Sequence, residues 1–253
     1  MPKIKPNHAE FSDPRLTSVY NSVNTHYDEE KDFYLNLAKT VSASKIVDIG
    51  SGTGLLTLEL ARLGYQMTGV EPAKAMLDIA RQSPEANKVK WIEGDILKLS
   101  ELNFDLAMMT AHVAQFLLDE QYWLNNLESI HNALRTGGYL VFDSKNPTTR
   151  PWINSWPTKD SPRIVVDPTL GKTQWSATLI EINKNRVIYE IVCLIAQTGE
   201  ELVSVNELIF RSKEEIIQSL IKSGFEIENI YGDWDSSSVT KESAEFIFVA
   251  KKI

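Results

Sequence analysis

The sequence predicts an α/β fold: a doubly wound, mostly parallel seven-stranded sheet with an antiparallel β insertion and an N-terminal helical cap. Three observations carry this prediction. From residue 45 to 143, short apolar runs alternate with amphipathic segments, a pattern typical of βαβ units with helices on both sheet faces. From residue 163 to 210, four strand-like runs follow one another with short connections, which indicates antiparallel pairing. Residues 1–44 have a helical character and carry several aromatic side chains.

The alternating region contains five of the predicted strands and the helices between them. The strands cover 45–49, 65–70, 88–92, 104–109 and 139–143, and the helices cover 55–63, 73–82 and 122–134. The first helix has leucines at helical spacing and is followed by Gly64, a residue type that ends helices. Pro72 suits the first position of the second helix. This region therefore predicts the parallel part of the sheet.

The second half of the chain changes pattern. Residues 144–162 hold four prolines and two tryptophans and are predicted to form a loop, and strand-like runs follow at 163–167, 173–182, 186–197 and 201–210. Ser212 then suits a helix N-cap with Glu215 three positions later, the spacing of a capping box. Two final strands at 225–231 and 244–250 are expected to complete the large sheet.

Bulk properties exclude several classes of protein. The chain has 253 residues, a formal net charge of −8 and a pI near 5.1, which argue against a duplex nucleic-acid binder and against an anionic membrane surface. No apolar run reaches the length of a membrane span, and the first residues lack the apolar core of a secretory signal. Cys193 is the single cysteine, so we expect a buried thiol and a cytoplasmic setting.

The segment VDIGSGTG, residues 47–54, joins the first strand to the first helix of this region. Such a turn lets backbone approach a ligand at a helix N-terminus. A phosphate-binding P-loop requires a lysine after the glycines, and none follows. A dinucleotide fingerprint requires a third glycine where Leu55 stands. The spacing is instead Gly50-x-Gly52-x-Gly54, with Asp48 two residues before the first glycine.

This turn resembles the cofactor loop of class I S-adenosylmethionine (SAM)-dependent methyltransferases. Four further signatures agree in order: Glu71 ending the second strand, Gly94-Asp95-Ile96 after the third, Phe104-Asp105 opening the fourth, and LRTGGYL (134–140) before the fifth, with Thr136 where the family has proline. The chain is most similar to stand-alone bacterial methyltransferases with an N-terminal cap and an antiparallel insertion. The resemblance implies one Rossmann-like domain over 1–253, with the cap at 1–44, the SAM-binding core at 45–150, the insertion at 151–211 and the last helix and strands at 212–253.

The resemblance also implies a set of cofactor-binding residues. Glu71 is expected to bind the ribose hydroxyls or to cap a helix, and Asp95 to meet the adenine amino group or to form a turn. Asp48 is expected to act through the cofactor's ammonium group or through the turn itself. The full implied set is Asp48, Gly50, Ser51, Gly52, Thr53, Gly54, Glu71, Pro72, Met76, Gly94, Asp95, Ile96, Thr110, Ala111 and His112.

Candidate catalytic and acceptor-binding residues are fewer. His112 follows the fourth strand and is a candidate general base, a substrate contact or a lining residue of the cofactor pocket. Candidate acceptor-binding residues are Tyr20, Tyr34, Gln115, Arg150, Trp152, Trp156 and Trp234. Asn24, Asp32 and Phe33 belong to the same aromatic cap, whose alternative role is a packed lid. We expect the acidic run 28–30 to be a solvated helix start, and the histidines show no metal-ligand spacing.

The sequence therefore predicts an enzyme that transfers a methyl group from SAM to an N, O or C nucleophile of a small molecule, with S-adenosylhomocysteine as product. A monomer or homodimer is expected, without nucleic acid or membrane partners. The segment 110–113 lacks the Asp/Asn-Pro-Pro-Tyr tetrapeptide of adenine N-methyltransferases. The alternatives are a SAM-binding regulatory or non-catalytic module, an NAD-dependent oxidoreductase, which Leu55 disfavours, and a protein or tRNA methyltransferase.

Overall fold

The computed structural model of the protein describes residues 5–23, 28–99 and 102–253. Its strands are β1 (Lys45–Ile49), β2 (Gln66–Glu71), β3 (Val89–Glu93), β4 (Phe104–Met109), β5 (Leu134–Lys145), β6 (Arg163–Asp167), β7 (Gly171–Asn183), β8 (Arg186–Ile195), β9 (Glu201–Ile209), β10 (Phe225–Tyr231) and β11 (Glu245–Lys252). Its α-helices are α1 (Ala9–Ser12), α2 (Pro14–Val23), α3 (Asp28–Thr40), α4 (Leu55–Arg62), α5 (Lys74–Gln82), α6 (Glu120–Ala133), α7 (Pro151–Asn154) and α8 (Lys213–Lys222). Short 3-10 turns cover Ala86–Lys88, Ile96–Lys98, Val113–Phe116 and Pro147–Thr149. Among the residues so described, no helix is long and apolar enough to cross a membrane.

The larger sheet has seven strands in the order β10-β11-β5-β4-β1-β2-β3. β1 to β5 pair in parallel, whereas β11 pairs antiparallel with both β5 and β10. β11 is thus the single strand that runs against the others. The strand order reverses between β1 and β4, and in open α/β sheets such a switch point opens a crevice beyond the carboxyl ends of the strands.

Alternating side chains on the central strands build a core on each face of this sheet. On β5, Phe142 packs with Trp123 of α6 and Leu220 of α8, while its neighbour Val141 packs with Tyr34 of α3 and Leu60 of α4. All six side chains are fully buried. The central strands are therefore covered on both faces, and only their carboxyl edge remains open for a ligand.

The smaller sheet consists of β6-β7-β8-β9, all antiparallel. Its residues Trp175 and Cys193 pack on Leu16 and Val19 of α2, so the N-terminal helices join this sheet to the ligand edge of the larger one. The Cys193 thiol is buried as expected. The fold class predicted from the sequence is confirmed.

Local predictions were confirmed in most elements and corrected in a few. Ser212 and Glu215 form the predicted capping box of α8, each side chain accepting from the other's backbone N–H. β5 is longer than predicted because pairing with β11 extends it to Lys145. The prediction that Pro72 occupies the first helical position was wrong: α5 begins at Lys74, with Ala73 as its N-cap.

Candidate active site

Two adjoining cavities open at the carboxyl edge of the larger sheet. The cofactor-side cavity, of about 450 Å³, lies beyond the ends of β1, β2 and β3. The sheet-side cavity, of about 540 Å³, lies between the glycine turn and the smaller sheet. Seven residues line both: Phe11, Tyr20, Gly50, Gly52, Thr110, Ala111 and Phe116. The two spaces therefore meet at the glycine turn and at the segment that follows β4.

The glycine turn has three left-handed residues, with φ of 72° at Gly50, 54° at Gly52 and 80° at Gly54. A Cβ on Gly50 would collide with Val113, and one on Gly54 would stand 2.6 Å from the Trp91 ring. These two glycines are needed for backbone conformation and close packing. A Cβ on Gly52 would meet no protein atom within 4 Å. Gly52 therefore faces open space shared by both cavities, where a ligand has room to contact the backbone.

Glu71 holds this turn from the end of β2. One carboxylate oxygen accepts the N–H of Gly52 at 2.9 Å, and the other accepts the N–H of Ala73 at 2.8 Å. Burial raises the pKa of Glu71, and these two hydrogen bonds oppose the rise. The carboxylate also lines the cofactor-side cavity. Glu71 does not occupy the N-cap of α5, which is Ala73. Holding the turn and contacting a ligand are compatible roles for its side chain.

Asp48 and Asp95 bring two more carboxylates to the cavities. Oδ2 of Asp48 accepts the Thr57 hydroxyl at 2.5 Å, while its buried Oδ1 has no hydrogen-bond partner within the described part of the chain. Burial raises the pKa of Asp48 to about 6 despite the Thr57 hydrogen bond. Oδ2 of Asp95 accepts the Tyr122 hydroxyl at 2.8 Å. The Asp48 oxygen beside the glycine turn is therefore an unsatisfied acceptor, and such buried groups normally have a partner.

His112 lies in a network of charged side chains where β4 and β5 end and β11 begins. Its backbone N–H donates to Asp143 Oδ2 at 2.8 Å, and its Nε2 lies 2.9 Å from Glu245 Oε2 and 3.3 Å from Asp143 Oδ2. Lys145 Nζ donates to Glu245 Oε1 at 2.9 Å, and the Tyr34 hydroxyl donates to Asp143 Oδ1 at 2.9 Å. Because β11 runs antiparallel to β5, its first residue, Glu245, lies at this edge.

The network favours the protonated form of His112. Burial disfavours the imidazolium, but the charges of Asp143 and Glu245 outweigh burial and raise the pKa of His112. Burial likewise opposes ionisation of Glu245, but His112 and Lys145 hold its pKa at about 2. Ligand atoms of His112, Asp143 and Glu245 lie within 4.8 Å of one another, a spacing that metal sites share. Here, however, the His112 imidazole pairs with Asp143 and Glu245, and the Lys145 ammonium group pairs with Glu245. The cluster is therefore an ion-pair network.

The sheet-side cavity combines aromatic walls with two carboxyl groups. Trp156 packs on Tyr189 with ring centroids 4.3 Å apart. Glu10 and Glu30 also line this space. The prediction of a solvated acidic run holds for Asp28 and Glu29, which are exposed, but it was wrong for Glu30, which accepts the Ala111 N–H at 3.3 Å. Burial and then the Asp143 charge raise the pKa of Glu30 to about 7.

The structure brings most of the predicted residues to one cavity or the other. Those on the cofactor side are Gly50, Gly52, Glu71, Pro72, Met76, Gly94, Asp95, Ile96, Thr110, Ala111 and Tyr20. Those on the sheet side include Asp48, Ser51, Thr53, His112, Gln115 and Trp156. Five line neither cavity: Gly54, Tyr34, Arg150, Trp152 and Trp234. Asn24 and His26 lie outside the described residues.

The residues that miss the cavities have other contacts. Trp234 packs on Phe33 and Tyr34, and the Trp152 ring packs on Phe210 at 4.6 Å. Arg150 is exposed. Gln115 lines the sheet-side cavity, but its amide links the two sheets by donating to the Ile209 carbonyl and accepting the Lys145 N–H. These contacts are structural.

Sequence reasoning missed several charged residues at the site, namely Glu10, Glu30, Lys145 and Glu245. Each stands in a segment whose pattern predicts only a helix or a strand. Glu245 lies 133 positions from His112 in the chain, so no local spacing could have joined them. Only the strand order of the sheet brings these residues together.

Known proteins share both the sequence pattern and the architecture. The family model described as a methyltransferase domain matches residues 46–138. A protein of Geobacillus sp. (strain WCH70) named as a methyltransferase is 27% identical over 217 residues, which make up 83% of this chain and 85% of that protein. Further curated relatives are matched over only 53% and 55% of their own lengths.

Solved structures agree with the described fold over nearly the whole chain. A SAM-dependent methyltransferase from Clostridium acetobutylicum superposes with a TM-score of 0.76 at 16% identity, covering 94% of this chain and 96% of that one. A SAM-bound amino pentose methyltransferase from Micromonospora echinaspora gives 0.70 at 18% identity, covering 93% and 95%. Identities this low show a common fold. The resemblance stated from the sequence is confirmed.

Proposed function

We propose, since the chain contains a methyltransferase domain and has the class I methyltransferase fold, that it transfers the methyl group of SAM to a small-molecule acceptor. The observation that carries this proposal is the pair of cavities that meet at the glycine turn. A methyl transfer needs cofactor and acceptor in contact at one point, each in its own space. Cavities of about 300 to 1,000 Å³ are typical of small-molecule sites, and both spaces lie in that range.

The residues around the cofactor-side cavity suit SAM. Glu71 lines this cavity and would accept the ribose hydroxyls. Asp48 lies beside the glycine turn on the sheet side, where its unpartnered Oδ1 would accept the ammonium group of the methionine end. Asp95, held by Tyr122, would meet the adenine amino group. The open space at Gly52 leaves room for the ligand against the backbone. When bound, SAM supplies a methyl group already activated by a sulfonium, so positioning can account for much of the rate.

The protein's own contribution is then orientation and enclosure. The Ala111-His112 turn separates the two cavities, and the Asp143 carboxylate holds it through the His112 N–H. Because Asp143 and Glu245 raise the pKa of His112, we assign this side chain to positioning that turn rather than to removing a proton. The N-terminal helices and the smaller sheet close the acceptor space on the remaining sides. A cavity of about 540 Å³ matches the size of small-molecule sites and favours a small acceptor over a protein or nucleic acid.

Calorimetric titration of the purified protein with SAM, S-adenosylhomocysteine and NADH tests the proposal. We expect micromolar binding of both sulfur compounds and no binding of NADH. Binding of NADH alone would support the oxidoreductase alternative. Binding of SAM without turnover of any acceptor would support a non-catalytic module, and failure to bind either sulfur compound would refute the proposal.

A further inference from the structure

The side chain of Glu10 has no hydrogen-bond or ion-pair partner within the described residues, although it faces the sheet-side cavity. Burial alone raises its pKa to about 7, because neither a cation nor an N–H group compensates the carboxylate. Glu10 is half-buried, and carboxylates withdrawn from water in proteins are normally paired or hydrogen-bonded. Glu10 therefore lacks the partner that its environment calls for.

Backbone hydrogen bonds fix the position of Glu10 over the cavity. Its own N–H donates to Ser204 Oγ on β9 at 3.0 Å. The preceding N–H groups of Asn7 and His8 both donate to the Val205 carbonyl, at 2.9 and 3.1 Å, and the Asn7 side chain accepts the Val205 N–H at 2.9 Å. The start of α1 is thus attached to the smaller sheet. Glu10 is placed by the fold and does not sit on a loose terminus.

The cationic groups of the same cavity already have partners, whereas Asp48 Oδ1 has none within the described residues. Lys145 and His112 pair with Glu245, and Arg163 donates to the Val23 carbonyl at 3.0 Å. Glu30 accepts only one long hydrogen bond, from Ala111. The uncompensated charge of the cavity is therefore negative, and a cationic ligand would complement it.

Aromatic rings surround this negative charge. Phe11, Tyr20, Trp156 and Tyr189 all line the cavity with Glu10. After burial, the Glu10 charge is the main factor that raises the pKa of both Tyr20 and Tyr189, so the carboxylate lies close to both rings. A carboxylate in a cavity lined by aromatic rings is an arrangement that suits ammonium groups.

We propose that the acceptor is a primary or secondary aliphatic amine whose nitrogen binds at the Glu10 carboxylate among these rings. The inference rests on the proposed methyl transfer and assigns its acceptor class. The amine arrives as an ammonium and transfers one N–H proton to Glu10. The freed lone pair then forms the N–CH₃ bond while the S–CH₃ bond breaks, its electron pair stays on sulfur, and the product leaves as a methylated ammonium.

A binding experiment tests the inference without requiring turnover. Cyclohexylamine and cyclohexanol, which share shape and differ in charge, are titrated by calorimetry into protein saturated with S-adenosylhomocysteine at pH 7.5. The variants are Glu10→Gln and, as a matched control, Glu226→Gln, an exposed residue of β10 outside both cavities. Because Glu10→Gln removes an unpaired charge from a half-buried position, its Tm should not fall, and its affinity for S-adenosylhomocysteine shows that the fold is intact.

We expect the amine to bind at least about tenfold more tightly than the alcohol in the wild type and in Glu226→Gln, the effect of one charge-assisted hydrogen bond. In Glu10→Gln this preference should disappear while S-adenosylhomocysteine binds within about twofold of wild type. Equal binding of both probes, no binding of the amine, or an unchanged preference in Glu10→Gln would overturn the inference. Loss of S-adenosylhomocysteine affinity in Glu10→Gln would overturn it too, and would assign the carboxylate to the cofactor. If wild-type protein does not bind S-adenosylhomocysteine, the proposed function itself fails.

Discussion

Replacing Gly52 by valine is expected to weaken S-adenosylhomocysteine binding sharply. An added Cβ would meet no protein atom within 4 Å, so the isopropyl group is expected to extend into ligand space. The left-handed φ of 54° adds a conformational cost of about 1–2 kcal/mol to folding. Overfilling a packed contact costs about 1–3 kcal/mol, which corresponds to about a fivefold to more than hundredfold loss of affinity.

Gly199 offers a matched control for this substitution. It lies in the turn between β8 and β9, has φ of 72° and likewise has no atom within 4 Å of an added Cβ, but it lines neither cavity. Gly199→Val should lose similar stability in thermal unfolding and keep wild-type affinity in calorimetry. Wild-type affinity in Gly52→Val would refute the assignment of the turn to the cofactor. Equal weakening in both variants would mean that backbone strain, not occupied ligand space, is responsible.

Three further predictions follow from the site. Glu71→Ala should weaken S-adenosylhomocysteine binding by about 1–3 kcal/mol and lower the Tm, because the turn loses its anchor; an unchanged affinity in calorimetry would limit Glu71 to a structural role in the turn. Glu245 has a folded pKa near 2, below the ordinary 4.5, so its contribution of up to about 3 kcal/mol is present above pH 4.5 and is lost as the pH falls toward 2. The free energy of unfolding of Glu245→Gln, measured with urea, should therefore fall less than that of the wild type between pH 4.5 and 2. An equal fall would contradict the pairing of Glu245 with His112. Trp156→Ala should weaken cyclohexylamine binding and leave the affinity for S-adenosylhomocysteine nearly unchanged. Trp152→Ala should mainly lower the Tm, because the Trp152 ring packs on the core. The reverse result would exclude Trp156 from the wall of the acceptor cavity.

Elements with a strong local pattern were predictable from the sequence. β4, β6 and β10 have the predicted bounds, because alternating or continuous apolar runs and polar turns define a strand within a few residues. The capping box of α8 is equally local. Pro72 shows the limit of such signals, since the turn before α5 is set by the Ala73 N–H bonded to Glu71 and not by the intrinsic preference of proline.

The aromatic and charged residues of the acceptor side were not predictable in the same way. Trp152 and Trp156 lie four positions apart in one Pro-rich segment, yet one packs on Phe210 and the other lines a cavity. Glu29 and Glu30 are neighbours, yet only Glu30 faces the site. Within each pair the residue type is the same, so the sequence does not tell which member lines the cavity. Only the packing of distant segments distinguishes the two members.

The sequence by itself determined the parallel sheet, its glycine turn and the identity of the cofactor edge, because these depend on contacts between residues close in the chain. The tertiary structure alone decided which charges meet at that edge. Glu245 reaches His112 through the reversed strand β11, and Glu10 reaches the sheet-side cavity because α1 is hydrogen-bonded to β9, 194 positions away. The energy of such pairs depends on burial and on distances of a few ångströms, and the folded arrangement of the whole chain fixes both.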